Sequence, residues 1–209
     1  MKNIGYKPRI VFTISKPIIG GAQVWLRNLL VELDDYFELV VVTSSEGWLT
    51  TSPSNVNFNY IPNLDRWSPL ATFKLFVLLR ELSPTVVVSS SAYAGLHSRL
   101  ACSVCNTRNI YVSHGWSALY NSRGSKSIFI LVERFLSYLT DKILCVSNSD
   151  RCKALQVIKI KENKLTTIRN SVSVDRMRVR ASPSKTMKKI VFVGRLEPPK
   201  RPDLYIDLI

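Results

Sequence analysis

Short apolar runs alternate along this chain with longer stretches whose apolar positions recur at intervals of three and four. RIVFTIS (9–15) and FELVVVT (37–43) are nearly unbroken apolar runs, as expected of strands covered on both faces. Between them Val24, Leu26, Leu29, Leu30 and Leu33 mark a helix over Ala22–Leu33. VNFNYI (56–61) alternates, which predicts a strand nearer a sheet edge. Ser68-Pro69 supplies a cap and a first-turn proline to a helix that runs to Leu82, where Ser83-Pro84 stops it. The alternation continues with strand 85–89, helix 92–105, strand 109–113, helix 125–140, strand 142–146, helix 148–158 and a short strand 165–168. Strand and helix in strict turn predict an α/β fold, a parallel sheet with helices on both faces.

Two segments qualify that picture. Ile128, Leu131, Val132, Phe135, Leu136 and Leu139 form the strong stripe of helix 125–140, expected to pack on the sheet as such a crossover does. A helix lying on a membrane is the other reading of the same stripe. Beyond residue 172 the alternation lapses into Ser173–Met187, rich in Arg, Lys and Ser, which predicts a linker at 173–187. Ile190–Val193 then reads as a buried strand, Gly194 as a turn and Pro202-Asp203 as a helix start. The expected organisation is a first domain at 1–172 and, at 188–209, the first β-α unit of a second.

Composition supports a packed core, with 46% hydrophobic and 10% aromatic residues. No run reaches the eighteen or so apolar residues of a membrane span, since the closest, Leu70–Leu79, contains Lys74. The N-terminal stretch has no continuous apolar segment of the signal-peptide kind, so a cytoplasmic location is expected. The net charge of +14 is uneven. Residues 1–150 carry 14 Lys+Arg against 10 Asp+Glu, whereas 151–202 carry 15 against 3. Such a block attracts phosphates, and an anionic membrane surface is one candidate partner. Nucleic acid is not expected, because no base-reading motif accompanies the charge.

Cys102 and Cys105 form a C-x-x-C, but with His97 and His114 as the chain's histidines no metal set is completed. They read as small core residues of a helix, with no metal and no disulfide. His97, inside the same helix, reads as structural.

In open α/β sheets ligands sit at the carboxyl ends of the strands, so the residues there are the candidates. Gly20-Gly21 follows the first strand and lets a phosphate or sugar approach a helix N-terminus, though an ordinary tight turn has the same signature. Ser113-His114-Gly115-Trp116 follows strand 109–113 and offers an imidazole to a hydroxyl or phosphate. Ser147-Asn148-Ser149-Asp150 follows strand 142–146, where a helix cap is the simpler reading. Gly194-Arg195, with Lys200 beyond, puts two cations on a glycine turn, which suits a diphosphate. A P-loop and a G-x-S-x-G elbow are both missing, which excludes those nucleotide and hydrolase chemistries.

Taken in order, GGAQVWLRNLL, VSHGW, DKILCVSNSDR, IRNSVSVDR and VFVGRLEPPKRPDLYIDLI resemble retaining nucleotide-sugar glycosyltransferases of the GT-B fold, family four. The resemblance spans nearly the whole chain, and its last motif is the most specific. It implies two Rossmann-like domains with the active site between them, the first binding the acceptor and the second the donor. Residues 1–172 would be the acceptor-side domain. By this resemblance Gly20 and Gly21 lie near the donor phosphates and His114, as the catalytic candidate, near the transferred sugar. Arg195 and Lys200 would neutralise the departing diphosphate without a metal, and Ser147 and Asn170 are candidate cleft residues. The partners implied are a nucleotide sugar, as substrate rather than cofactor, and a saccharide or lipid-linked acceptor in polysaccharide biosynthesis.

Departures from the family pattern are Gln23 where Glu is usual and Arg169-Asn170-Ser171 for Pro-Asn-Gly. The second-domain glutamate pair has no counterpart in these 209 residues. The expectation is therefore a transferase incomplete in this stretch, with a non-catalytic glycan-, anionic-lipid- or partner-binding half-module as the alternative.

Overall fold

The computed structural model describes residues 7–51, 55–120, 126–170, 191–194, 196 and 202–207. The chain divides into two units, Met1–Asn170 and Ser171–Ile209.

The first unit alternates strand and helix. Its elements are β1 (Arg9–Ile14), α1 (Gly21–Leu33), β2 (Glu38–Thr43), β3 (Asn57–Tyr60), α2 (Pro69–Leu82), β4 (Val86–Ser90), α3 (Ala92–Cys105) and β5 (Asn109–Ser113). Then follow α4 (Ser117–Tyr120), α5 (Lys126–Tyr138), β6 (Lys142–Cys145), α6 (Asn148–Lys153) and β7 (Leu165–Thr167). The strands form one sheet in the order β3-β2-β1-β4-β5-β6-β7, every described pairing parallel. The α/β reading holds, and the order reverses between β1 and β4.

Local signals set the helix ends. The Ser68 hydroxyl accepts from the Ala71 N–H at 3.2 Å and Pro69 opens α2. Ser83 (φ 45°) and Asn106 (φ 51°) close α2 and α3 in the left-handed conformation. The helix expected over 148–158 is α6 followed by a π turn, Ala154–Ile158, which Lys159 closes at φ 65°. That wider turn buries Ala154 and Ile158 together.

The sheet faces are covered as the apolar strands require. Ile10, Phe12 and Ile14 pack with Leu26 and Leu30 of α1. Val11, Val40, Val42 and Val87 pack with Leu75 and Leu79 of α2 and Ala94 and Cys102 of α3. Each such fully buried Leu contributes about 2 kcal/mol. Burial lifts the Cys102 thiol to about 12, so it behaves as a small core residue. His97 is fully buried too, its ring held by the Thr72 hydroxyl (2.7 Å) and the Arg66 carbonyl (2.8 Å).

Helix α5 departs from expectation. Leu136 is buried, but Ile128, Leu131, Val132 and Phe135 of the predicted packing stripe are exposed. The inward side instead mixes Leu136 and the half-buried Ile130 with polar groups. Glu133 pairs with the fully buried Arg99 at 2.9 Å, and Ser137 and Thr140 lie buried beside it. Arg99 also donates to the Gly95 carbonyl (2.9 Å) and lies 4.2 Å over the Tyr111 ring. An ion pair below the helix dictates which side faces in.

In the second unit, the described residues 191–194 form no strand, contrary to expectation, and Val191 and Val193 are 76% and 90% exposed. Among this unit's described residues there is no second strand to take up the backbone groups of 191–193. Helix α7 (Pro202–Ile206) starts where its proline predicts, and Tyr205 contacts Phe192 at 5.5 Å.

Candidate functional site

The candidate residues of the first unit gather at the carboxyl edge of the sheet, where β1, β4, β5 and β6 end side by side. Ile14 lies level with Ser90, Ser90 with Val112, and Ser113 with Cys145. The crevice such a sheet offers a ligand falls where the order reverses, between β1 and β4.

At the end of β1 the chain loops through Lys16–Gly20 into α1. Gly20 is the N-cap, at φ −171°, and contributes no side-chain cap to the orphan N–H groups of the first turn. Any residue adopts that φ. A Cβ on Gly20 would meet only the end of the Gln23 side chain (Oε1, 2.7 Å), and one on Gly21 would meet nothing within 4 Å. The backbone therefore does not demand either glycine, and the space before the helix end stays open. Gln23 turns back to donate from Nε2 to the Lys16 carbonyl at 2.7 Å. An ionised glutamate has no proton to make that bond, so the departure at 23 fastens the loop.

Across the reversal the Ser15 hydroxyl lies 2.7 Å from that of Ser91 and accepts from the Ala94 N–H at 3.1 Å. It serves α3 as a cap borrowed from β1. Ser91 itself has φ 80° and ψ 154°, a region almost confined to glycine.

His114 follows β5. Its ring meets Trp25 of α1 edge-on, centroids 5.1 Å apart, and its Nε2 lies a long 3.4 Å from the Ser90 hydroxyl. Burial lowers its pKa to about 4, against a smaller opposing pull from the Asp150 carboxylate. The imidazole is neutral at pH 7, able to donate at one nitrogen and accept at the other. Gly115 turns the chain at φ 109° so that Trp116 enters the core and donates from Nε1 to the Asp150 carbonyl at 2.9 Å.

Ser147 caps α6, accepting from the Asp150 N–H at 3.1 Å and donating to the Asp150 carboxylate at 2.8 Å. Asn170 is exposed and closes the first unit. Arg195 and Lys200 lie outside the described residues. The structure thus brings Gly20, Gly21, His114 and Ser147 to one edge. It adds Ser15, Trp25, Ser90 and Ser91, which sequence reasoning did not single out. The available signal was the abrupt change from Val86–Val88 to Ser89–Ser91, a strand whose polarity rises where it reaches the ligand edge.

This sheet order defines a Rossmann-like domain of the kind GT-B glycosyltransferases carry. Residues 19–176 match Glycosyltransferase Family 4, and the chain belongs to that family. It is 41% identical over 210 residues to the O-antigen biosynthesis glycosyltransferase WbnH of Escherichia coli, which covers 100% of this chain and 60% of that protein. A more distant relative is the UDP-Gal:alpha-D-GlcNAc-diphosphoundecaprenol alpha-1,3-galactosyltransferase of Escherichia coli, 23% identical over 221 residues, 97% of this chain and 57% of that protein. The chain thus spans less than two thirds of the length of the curated relatives it matches. Among solved structures, HepE of Anabaena in complex with UDP and glucose superposes with a TM-score of 0.65 at 16% identity, over 79% of this chain and 45% of that one. At that identity the likeness is one of fold. Among the described residues no helix is long and apolar enough to cross a membrane.

Proposed function

We propose that this chain supplies the acceptor-side half, with the start of the donor-side half, of a cytoplasmic glycosyltransferase. It would transfer a hexose from a nucleotide sugar to a saccharide or lipid-linked acceptor in polysaccharide biosynthesis, with retention of anomeric configuration. The observation that carries this reading is the uncapped start of α1. Two glycines that the backbone does not demand leave open space there, on the same edge as a neutral imidazole. Oriented N–H groups and a positive helix end suit a donor phosphate. Family membership and the O-antigen relative support the reaction class, and the UDP bound by HepE makes UDP-sugars the first donors to try.

In this reading His114 contacts the transferred sugar, exchanging hydrogen bonds without carrying charge. Arg195 and Lys200 take up the charge that builds on the departing diphosphate, so that no metal is required. Ser147 and Asn170 border the cleft.

The test is transfer of labelled hexose from UDP-sugars to a lipid-linked saccharide, by this chain and by one extended with the second domain of the WbnH relative. Transfer should fall at least tenfold with His114→Ala and with Arg195→Ala plus Lys200→Ala. Unchanged turnover in both would refute the assigned roles. UDP-sugar binding without transfer in either form would favour the non-catalytic half-module.

A further inference from the structure

Strand β4 changes character at its last residues. Val86 and Val88 pack into the core against α1, and alternation along the strand turns Ser90 to the same side. Trp25 of α1 packs on that side as well. The imidazole of His114, arriving from β5, stands against both. Trp25 meets it edge-on, centroids 5.1 Å apart, and the Ser90 hydroxyl lies 3.4 Å from its Nε2. The sheet register brings the two together, since Ser90 lies level with Val112, just before Ser113 and His114.

These neighbours decide where the ring proton sits. Ser90 is 2% exposed, so its hydroxyl is sealed from water. Among the described residues, Nε2 of His114 is the group within bonding reach of that hydroxyl. A hydroxyl can donate and accept, but its own proton needs a lone pair, and a buried donor left without one is costly. If Nε2 carried the ring proton, the Ser90 oxygen could accept it, but the Ser90 proton would be orphaned. With Nε2 bare, Ser90 donates and the need is met. Burial lowers the ring pKa to about 4, so at pH 7 the ring holds one proton, which then resides on Nδ1. At 3.4 Å the bond is long, a length common among active-site hydrogen bonds outside the reacting complex.

The other histidine has the opposite arrangement. Nε2 of His97 donates to the Arg66 carbonyl at 2.8 Å, and its Nδ1 accepts from the Thr72 hydroxyl at 2.7 Å. A carbonyl can only accept, which fixes that tautomer. The chain's two histidines therefore form a matched pair of opposite tautomers.

We propose that Ser90 is a positioning residue: its hydroxyl holds Nε2 of His114 and locks the ring as the Nδ1–H tautomer, so that the imidazole offers the donor sugar one N–H and no acceptor. This rests on the reading in which His114 contacts the transferred sugar, and it narrows that contact. The group that meets the ring must bring an oxygen lone pair, as a sugar hydroxyl or a phosphate oxygen does.

Imidazole nitrogen NMR spectra of the isotope-labelled 209-residue chain at pH 7 test the lock without any nucleotide sugar. His97 should carry its proton on Nε2 and His114 on Nδ1. Ser90→Ala should lower the Nδ1–H to Nε2–H ratio of His114 about tenfold, while unshifted His97 signals show that the fold is kept. Ser90→Thr keeps the hydroxyl and should restore the ratio. A wild-type His114 protonated on Nε2, or a ratio unmoved by Ser90→Ala, would overturn the proposal. If Ser90→Ala does not fold, the wild-type and Ser90→Thr spectra still decide it. Titration with UDP-glucose then separates the lock from the reading it rests on. Affinity should fall about fivefold in Ser90→Ala and recover in Ser90→Thr. Unchanged affinity beside an altered tautomer would overturn the positioning role. Wild-type protein that binds no UDP-glucose would defeat the transferase reading and leave the tautomer result standing.

Discussion

The hydroxyl of Ser15, at the end of β1, lies 2.7 Å from that of Ser91, at the end of β4, and the Ser15 N–H donates to the same Ser91 oxygen at 3.1 Å. These bonds span the point where the strand order reverses. They hold Ser91 at φ 80°, a conformation that costs a non-glycine residue on the order of 1–3 kcal/mol. Ser91→Ala loses the bonds and keeps the strain, and is expected to destabilise the first unit by about 2 kcal/mol. Ser91→Gly loses the same bonds but relieves the strain, so it should be the more stable of the two. Urea unfolding of both variants checks the ranking, and Ser91→Ala at or above Ser91→Gly would contradict it.

Gly21 gives a test in which stability and function move oppositely. It opens α1, and a methyl group there meets nothing within 4 Å. Gly21→Ala should raise stability by about 0.5 kcal/mol, since alanine loses less backbone freedom on folding. The same methyl occupies the space proposed for the donor phosphates, so UDP-sugar affinity should fall several-fold by titration calorimetry. A stabilised variant with unchanged affinity would remove Gly21 from the phosphate site.

How far the sequence revealed this structure depends on which forces act locally. Buried parallel strands announce themselves, because both faces must be apolar, and Val11, Val40 and Val87 were legible for that reason. Helix α2 was legible from Ser68-Pro69, since cap and proline act within one turn. The roll of α5 was not. Its stripe was read correctly, but which side faces inward is decided by Arg99, a residue 34 positions away in sequence from Glu133. Periodicity carries no record of such a partner. At the site, Gly20, Gly21 and His114 stood out because glycine and histidine are chemically conspicuous. Ser15 and Ser91 did not, because their role rests on a contact across 76 residues.

The Arg99–Glu133 pair should behave as a matched buried ion pair. Arg99 is fully buried and Glu133 nearly so. Glu133→Ala leaves the guanidinium without its carboxylate and is expected to cost about 3–5 kcal/mol. Arg99→Met with Glu133→Leu removes both charges and should recover most of that loss, a non-additivity that a double-mutant cycle measures directly. Additive losses would mean that the pair does not hold α5. Gly95→Ala probes the same layer, because its methyl would come within 2.5 Å of the Tyr111 ring under Arg99. Overpacking of that kind costs about 1–3 kcal/mol.

The two histidines set an acid limb on stability. Burial lowers the pKa of both, His114 to about 4, so in the unfolded chain each takes up its proton near 6.5 while the folded chain still excludes it. Between about 6.5 and 4 the unfolded state binds more protons, and stability must therefore fall as pH falls. The His114 contribution is fully present above about pH 6.5 and is lost by about pH 4, with a ceiling of about 3 kcal/mol. His114→Gln should flatten this limb when stability is followed by urea unfolding at pH 7.5, 6.0 and 5.0. The remaining slope then includes His97, whose Nε2 proton goes to the Arg66 carbonyl while Nδ1 accepts from Thr72. The same depression has a functional counterpart. If His114 stays neutral down to about pH 4, UDP-sugar affinity should show no step attributable to it near pH 6.5. A step there that vanishes in His114→Gln would mean that the ring beside Trp25 titrates as an exposed imidazole and reaches the donor as a cation.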